Sequence, residues 1–149
     1  MILADKKNKA TNNGFTLIEV LVAMAILSIG ILGVATLQVT SARGNLSAGV
    51  ITQNVTVAQS HAENLMALSF ENGDLAAGPH TPPQDADGVD NNSNGFIDEV
   101  GETGAITMSY TVNEDTPVVN TKTITITVTR PGFSGQKTST IVHVIPEII

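Results

Sequence analysis

Cysteine and tryptophan are absent from this 149-residue chain, and basic and aromatic residues are scarce. Without cysteine there is no disulfide, no thiolate metal site and no cysteine nucleophile. Aromatics make up 3% of the residues, four Phe and one Tyr, so a core has to be built from Val, Ile, Leu, Ala and Met. Seven Lys and Arg stand against fourteen Asp and Glu, a formal charge of -7. That balance argues against a nucleic-acid partner, whose phosphates would be repelled. Catalytic motifs are also missing. No phosphate-binding or dinucleotide glycine pattern occurs, and Gly132-Phe133-Ser134-Gly135 lacks the spacing of a nucleophile elbow and reads as a turn. His61, His80 and His143 fall on a helix, a Pro-rich loop and a strand with no ligand spacing between them, and His61 is expected in the core. The chain does not read as an enzyme.

A long apolar run is present instead. Residues 1–14 are short and polar, with Lys6, Lys7 and Lys9. From Phe15 to Val39 the single formal charge is Glu19, over a length sufficient for a helix to cross a hydrocarbon core of about 30 Å. The lysines before the run place its N-terminus on the cytoplasmic side. An ordinary secretory signal would have a shorter apolar region and a small-x-small cleavage site. Residues 40–70 continue the helix in amphipathic form, with Leu46, Val50, Ile51, Val57, Ala58, Ala62, Leu65 and Met66 on a broad apolar side. Gly30, Gly33, Gly44 and Gly49 are expected to bend or loosen it.

Residues 71–104 are rich in Gly, Pro, Asn and Asp and read as a long loop. Residues 105–149 carry three apolar runs, Ile106 to Val112, Ile124 to Val128 and Ile141 to Ile145, separated by turn residues at Glu114 to Thr121 and Pro131 to Lys137. The first two runs alternate strictly, which predicts an antiparallel meander of three to four strands packed on the amphipathic half-helix. The fold class is α+β.

Glu19 raises the central question, because an ionisable group in a membrane helix is costly and tends to be paired or functional. On physics alone it also suits the first helical turn, where the helix dipole favours an anion. The Lys-rich leader, Gly14, then Phe15-Thr16-Leu17-Ile18-Glu19 and an apolar run resemble the class III signal of type IV pilins and pseudopilins. The resemblance implies cleavage between Gly14 and Phe15 by a prepilin peptidase and N-methylation of Phe15. It further implies assembly of the apolar helices into a filament through an inner-membrane platform, Glu19 meeting the amine of a neighbouring subunit. Before assembly the chain would sit in the inner membrane among lipids, and afterwards in a surface pilus or a periplasmic pseudopilus. Residues 27–38, LSIGILGVATLQ, and the later AQSHAENLMAL look like PilV-type minor pilins. Major pilins often carry a proline where Thr36 stands, and paired cysteines near the C-terminus. A minor subunit is therefore expected, with a major pilin, a secretion pseudopilin and a calcium-dependent adhesive module displayed on a pilus as alternatives. Cleavage would remove Asp5 and three lysines, leaving thirteen acids, four bases and a formal charge of -9.

Within eighteen residues the loop gathers six carboxylates, Asp85, Asp87, Asp90, Asp98, Glu99 and Glu102, interleaved with Asn91, Asn92 and Asn94. Against the calcium-loop pattern D-x-[DN]-x-[DN]-G, Asp90, Asn92, Asn94 and Gly95 fill the first, third, fifth and sixth positions. Phe96 would offer its carbonyl and Asp98 the ninth position. The twelfth is Gly101, so Glu99 or Glu102 has to supply the missing acid. A structural Ca²⁺ bound by Asp90, Asn92, Asn94, Phe96, Asp98, Glu99 and Glu102 is expected.

Overall fold

The computed structural model describes residues 14–147. The lysine leader before Gly14 lies outside the described residues, as do Ile148 and Ile149. By backbone contacts the chain divides into two compact units, Met1–Ser41 and Ala42–Ile149.

Helix α1 spans Leu17–Met66. It begins at Thr16, whose hydroxyl oxygen accepts from the Glu19 amide at 3.3 Å, an N-cap followed three residues later by glutamate as in a capping box. The four glycines do not interrupt it, so the expected loosening is not seen: the i to i-4 ladder continues through all of them. Its most apolar stretch has a mean hydropathy of 2.6, long and apolar enough to cross a membrane. Several hydroxyl side chains on α1 are turned back on the helix. Ser28 donates to the Met24 carbonyl at 2.7 Å, Thr36 to Gly33 at 2.7 Å and Thr40 to Thr36 at 3.0 Å. Such back-bonding hides a hydroxyl where no water is available to satisfy it.

After α1 come a 3₁₀ turn, Gly73–Leu75, and four strands: β1 Gly78–His80, β2 Thr107–Glu114, β3 Thr121–Gly132 and β4 Gly135–Pro146. They form one antiparallel sheet in the order β1-β2-β3-β4. The α+β expectation holds. The long loop is less bare than its composition implied, since it contains the 3₁₀ turn and the short β1. Strands β3 and β4 also run through the segment read as a connection, leaving only Phe133 and Ser134 as the turn between Gly132 and Gly135. Gly135, at φ 98°, adopts the left-handed backbone that this tight reversal requires.

Register explains which residues meet. Met108, Tyr110 and Val112 of β2 face Val128, Ile126 and Ile124 of β3. All six are buried together with Ala58, Ala62 and Leu65 of α1. Small residues at 58 and 62 let the helix lie close to the sheet. The buried face of α1 is narrower than the amphipathic pattern implied: Leu46, Ile51 and Met66 are exposed. The opposite sheet face carries threonine, where the hydroxyls of Thr127 and Thr140 pair across strands at 3.2 Å, and those of Thr129 and Thr138 at 3.0 Å.

Two polar ties fasten the second unit. Asn54, fully buried on α1, donates its amide to the carbonyls of Val128 at 3.3 Å and Lys137 at 3.0 Å. Its side-chain oxygen accepts from Arg130 Nε at 3.3 Å. Lys122, buried on β3, donates to the Phe70 carbonyl at 2.7 Å, sits over the Phe70 ring and lies 3.4 Å from Glu114. Here a buried charge is paired and hydrogen-bonded, which makes its burial tolerable.

Candidate functional site

Two regions carry the expected functional residues, the start of α1 and the acidic loop. At the start of α1, Gly14, Phe15 and Thr16 precede the first helical turn, and Phe15 is exposed. Glu19 is exposed on that turn, its amide held by Thr16 and its side chain making no hydrogen bond among the described residues. From Phe15 to Val39 nearly every large apolar side chain is exposed, Leu17, Ile29 and Leu37 among them. So long a stripe of bare aliphatic surface is stable only against lipid or other apolar helices.

The acidic loop is organised by carboxylates and side-chain amides that accept from backbone N–H groups. Asp90 takes the amides of Asn94 at 3.1 Å and Gly95 at 2.8 Å. Asn92 also accepts from Asn94, at 2.9 Å, and Asn94 in turn accepts from Phe96 at 2.9 Å. These local bonds wrap the chain around Asp90, with Ser93 at φ 64° and Gly95 at φ 100° supplying the reversals. The side-chain amide of Asn94 donates to Glu99, so Glu99 reaches back to the turn. Asp98 accepts from the Gly88 amide at 2.9 Å.

Glu102 behaves differently from its neighbours. It is buried, and its two oxygens accept from the amides of Asn91 at 2.6 Å, Asn92 at 3.4 Å and Glu99 at 3.2 Å. It clamps the two ends of the loop. Below it, the buried Asp87 accepts from the Val89 amide and from Asn91, whose side chain also donates to the Ile106 carbonyl at 2.8 Å. Burial pushes the Asp87 carboxyl above its ordinary range; hydrogen bonds from Asn91 and Val89 oppose the shift, and the charges of Asp98 and Glu102 add to it. No pattern in the sequence marks Asp87 and Asn91 as the buried members.

Donor chemistry in the turn suits a hard cation: one carboxylate at Asp90, amide oxygens of Asn92 and Asn94, the Phe96 carbonyl and Glu99 nearby. Among the described residues no three His, Asp or Glu side chains converge into a metal-holding group, so amide and carbonyl oxygens would have to make up most of any such shell.

The histidines are partly brought together despite their spacing. His61 and His80 both lie against Tyr110, with ring centroids 5.2 Å and 4.7 Å away. His80 donates to the Ala76 carbonyl, and Tyr110 to that of Asp74. His61 is half-buried, as expected of a core residue, and its Nε2 finds no partner among the described residues.

Comparison with known proteins adds one match. Residues 9–35 fit the family model of the prokaryotic N-terminal methylation motif, which indicates a type IV pilin-like precursor. The match takes in Gly14, Phe15, Glu19 and the apolar start of α1, and none of the sheet or the acidic loop. Neither a curated protein nor a solved structure matches the chain. Motif and exposed apolar helix together fit an inner-membrane-anchored precursor.

Proposed function

We propose that this chain is a structural subunit of a type IV pilus, of the PilV-like minor kind. Prepilin peptidase cleaves it between Gly14 and Phe15, Phe15 is N-methylated, and the subunit enters the filament from the inner membrane through its apolar helix. The observation that carries this reading is a methylation motif at residues 9–35 running directly into a helix whose first half is bare of cover among the described residues. Glu19 supplies register. Its carboxylate, unpartnered among the described residues, is neutralised by the freed amine of an adjoining subunit, and truncating either member leaves the other charge stranded in apolar surroundings. The N-terminus faces the cytoplasm before extraction, and the sheet faces outward.

The acidic loop serves this role as a rigid surface feature ordered by Ca²⁺. Asp90, Asn92, Asn94 and the Phe96 carbonyl would hold the ion, with Asp98 and Glu99 completing the shell and Glu102 bracing the loop from beneath. Bound Ca²⁺ supplies positive charge that offsets the mutual repulsion of the six acids, and stabilises the folded form by mass action.

Sheared filaments test the assignment. The expected result is a mature chain that starts at N-methylated Phe15 by mass spectrometry, and a Glu19→Leu variant that is processed but under-incorporated. Recovery from filaments of chains still bearing residues 1–14, or normal incorporation of Glu19→Leu, would overturn it. For the loop, calorimetric titration of the full chain in detergent should show calcium binding that Asp90→Ala removes; no calcium heat would leave the pilin reading standing and remove the cation.

A further inference from the structure

One cavity in the second unit brings a half-buried arginine, an acid and aliphatic side chains together. It lies between α1 and the acidic loop, has a volume of about 370 Å³, and is walled by Thr56 and Val57 of the helix, Val89, Asp90 and Ile97 of the loop, and Arg130 of β3. Arg130 is held in place from behind. Its Nε donates to Asn54, and Asn54 is itself fixed by two strand carbonyls, so the guanidinium is tethered at Nε before any ligand arrives. The terminal nitrogens make no hydrogen bond and no ion pair among the described residues. Asp90 lies near enough to favour the charged guanidinium, against burial, which is the larger influence and lowers the Arg130 pKa. Yet the Asp90 oxygens are taken up by the amides of Asn94 and Gly95.

Two other basic groups are differently placed. Lys122 is consumed by Phe70 and Glu114, and Arg43 stacks on the Phe133 ring at 5.0 Å. Arg130 is thus a pre-oriented fork facing open space, the arrangement that recognises a planar two-oxygen anion. Val57, Val89 and Ile97 give the cavity an aliphatic wall, and Ile97 is 61% exposed for want of a cover. A multiply charged phosphate would gain nothing from that wall and would be repelled by Asp90. A singly charged group on a branched aliphatic stem meets less of that repulsion and covers the wall.

We propose that this cavity is a receptor for an aliphatic carboxylate, bound through the terminal nitrogens of Arg130 with its stem against Val57, Val89 and Ile97. The carboxylate is either a free small molecule or an acidic side chain of a second copy of this chain, whose processed form carries thirteen acids. The site does not depend on the loop holding calcium.

The test is an NMR titration of the full chain in detergent micelles, labelled at the valine and isoleucine methyls and at arginine nitrogen, with isovalerate as the probe. It is run once with calcium chloride and once with chelator. Saturable shifts at Val57, Val89, Ile97 and Arg130 in either condition are expected, with affinity at least about tenfold weaker in Arg130→Gln. Ile97→Asp, at an exposed wall position, places a repelling charge at the mouth without touching the Asn54 tie and should weaken binding similarly. Movement of the Arg130 resonances with chain concentration, reversed by isovalerate, assigns the carboxylate to a second copy; shifts that need added isovalerate assign it to a free molecule. The proposal is overturned by no saturable shift in both conditions, by equal shifts with the uncharged alcohol of the same skeleton, by wild-type binding in both variants, or by inorganic phosphate binding more tightly than isovalerate.

Discussion

Asn54 shows how much a single buried amide can settle. Its three hydrogen bonds join α1 to β3, to β4 and to a charged side chain. Replacing it with Ala removes the partners of two carbonyls and an arginine at once. We expect a loss of about 2–4 kcal/mol, read by thermal unfolding of the full chain in detergent. His61 carries a pH dependence. Burial lowers its pKa below 6.5, and the charge of Asp74 opposes the shift more weakly. The neutral ring is the form that the fold accepts, so the unfolded chain binds more protons as pH falls below about 6.5, and stability is lost in that window. The unfolding midpoint should drop between pH 7.5 and pH 5.5, and His61→Phe should flatten the drop. In the sequence His61 could be assigned to the core from its helical phase. Asn54 could not, because one amide on an apolar stripe looks the same whether it meets water or a strand carbonyl.

Elements were legible where periodicity was strong. Alternating Ile, Thr and Val announce β2 and β3, and the apolar run announces α1. Strand β1 was hidden because Gly78-Pro79-His80 offers no alternation and forms only by adding to β2. The loop's composition pointed to its turns, but its clamp depends on contacts between residues ten or more apart, such as Glu102 with Asn91. Gly104 belongs to that clamp: a side-chain carbon there would lie 2.0 Å from the Asn91 carbonyl oxygen and 2.6 Å from the Asn92 nitrogen, both backbone atoms. Gly104→Ala should therefore displace the loop and raise its protease susceptibility well before global unfolding, whereas Gly73→Ala, in open space, should leave the cleavage rate unchanged.

At the scale of the molecule, the two units obey different solvents. Residues 42–149 contain the sheet, the core and every polar tie described, whereas the apolar half of α1 buries none of its most hydrophobic window. A chain beginning at Ala42 should remain soluble without detergent and show one cooperative thermal transition by circular dichroism, while the full chain should require detergent. Loss of strand signal in the shorter chain would mean that the first unit supports the second. This division was visible in the sequence, where a charge-poor run gives way to alternating polar and apolar residues. The pilin-like α+β architecture followed from it. What the sequence left open was how narrow the contact stripe on α1 would be, since Leu46 and Ile51 are as apolar as Leu65 and yet remain uncovered.

Ser28, Thr36 and Thr40 fold their hydroxyls against the carbonyls of their own helix. A rod finished in this way is slippery along its length, with no directional grip to offer a sliding companion. On the proposed pilus reading, where such rods come to rest is decided at their tips, by the lone anion at Glu19, as a detent stops a smooth shaft.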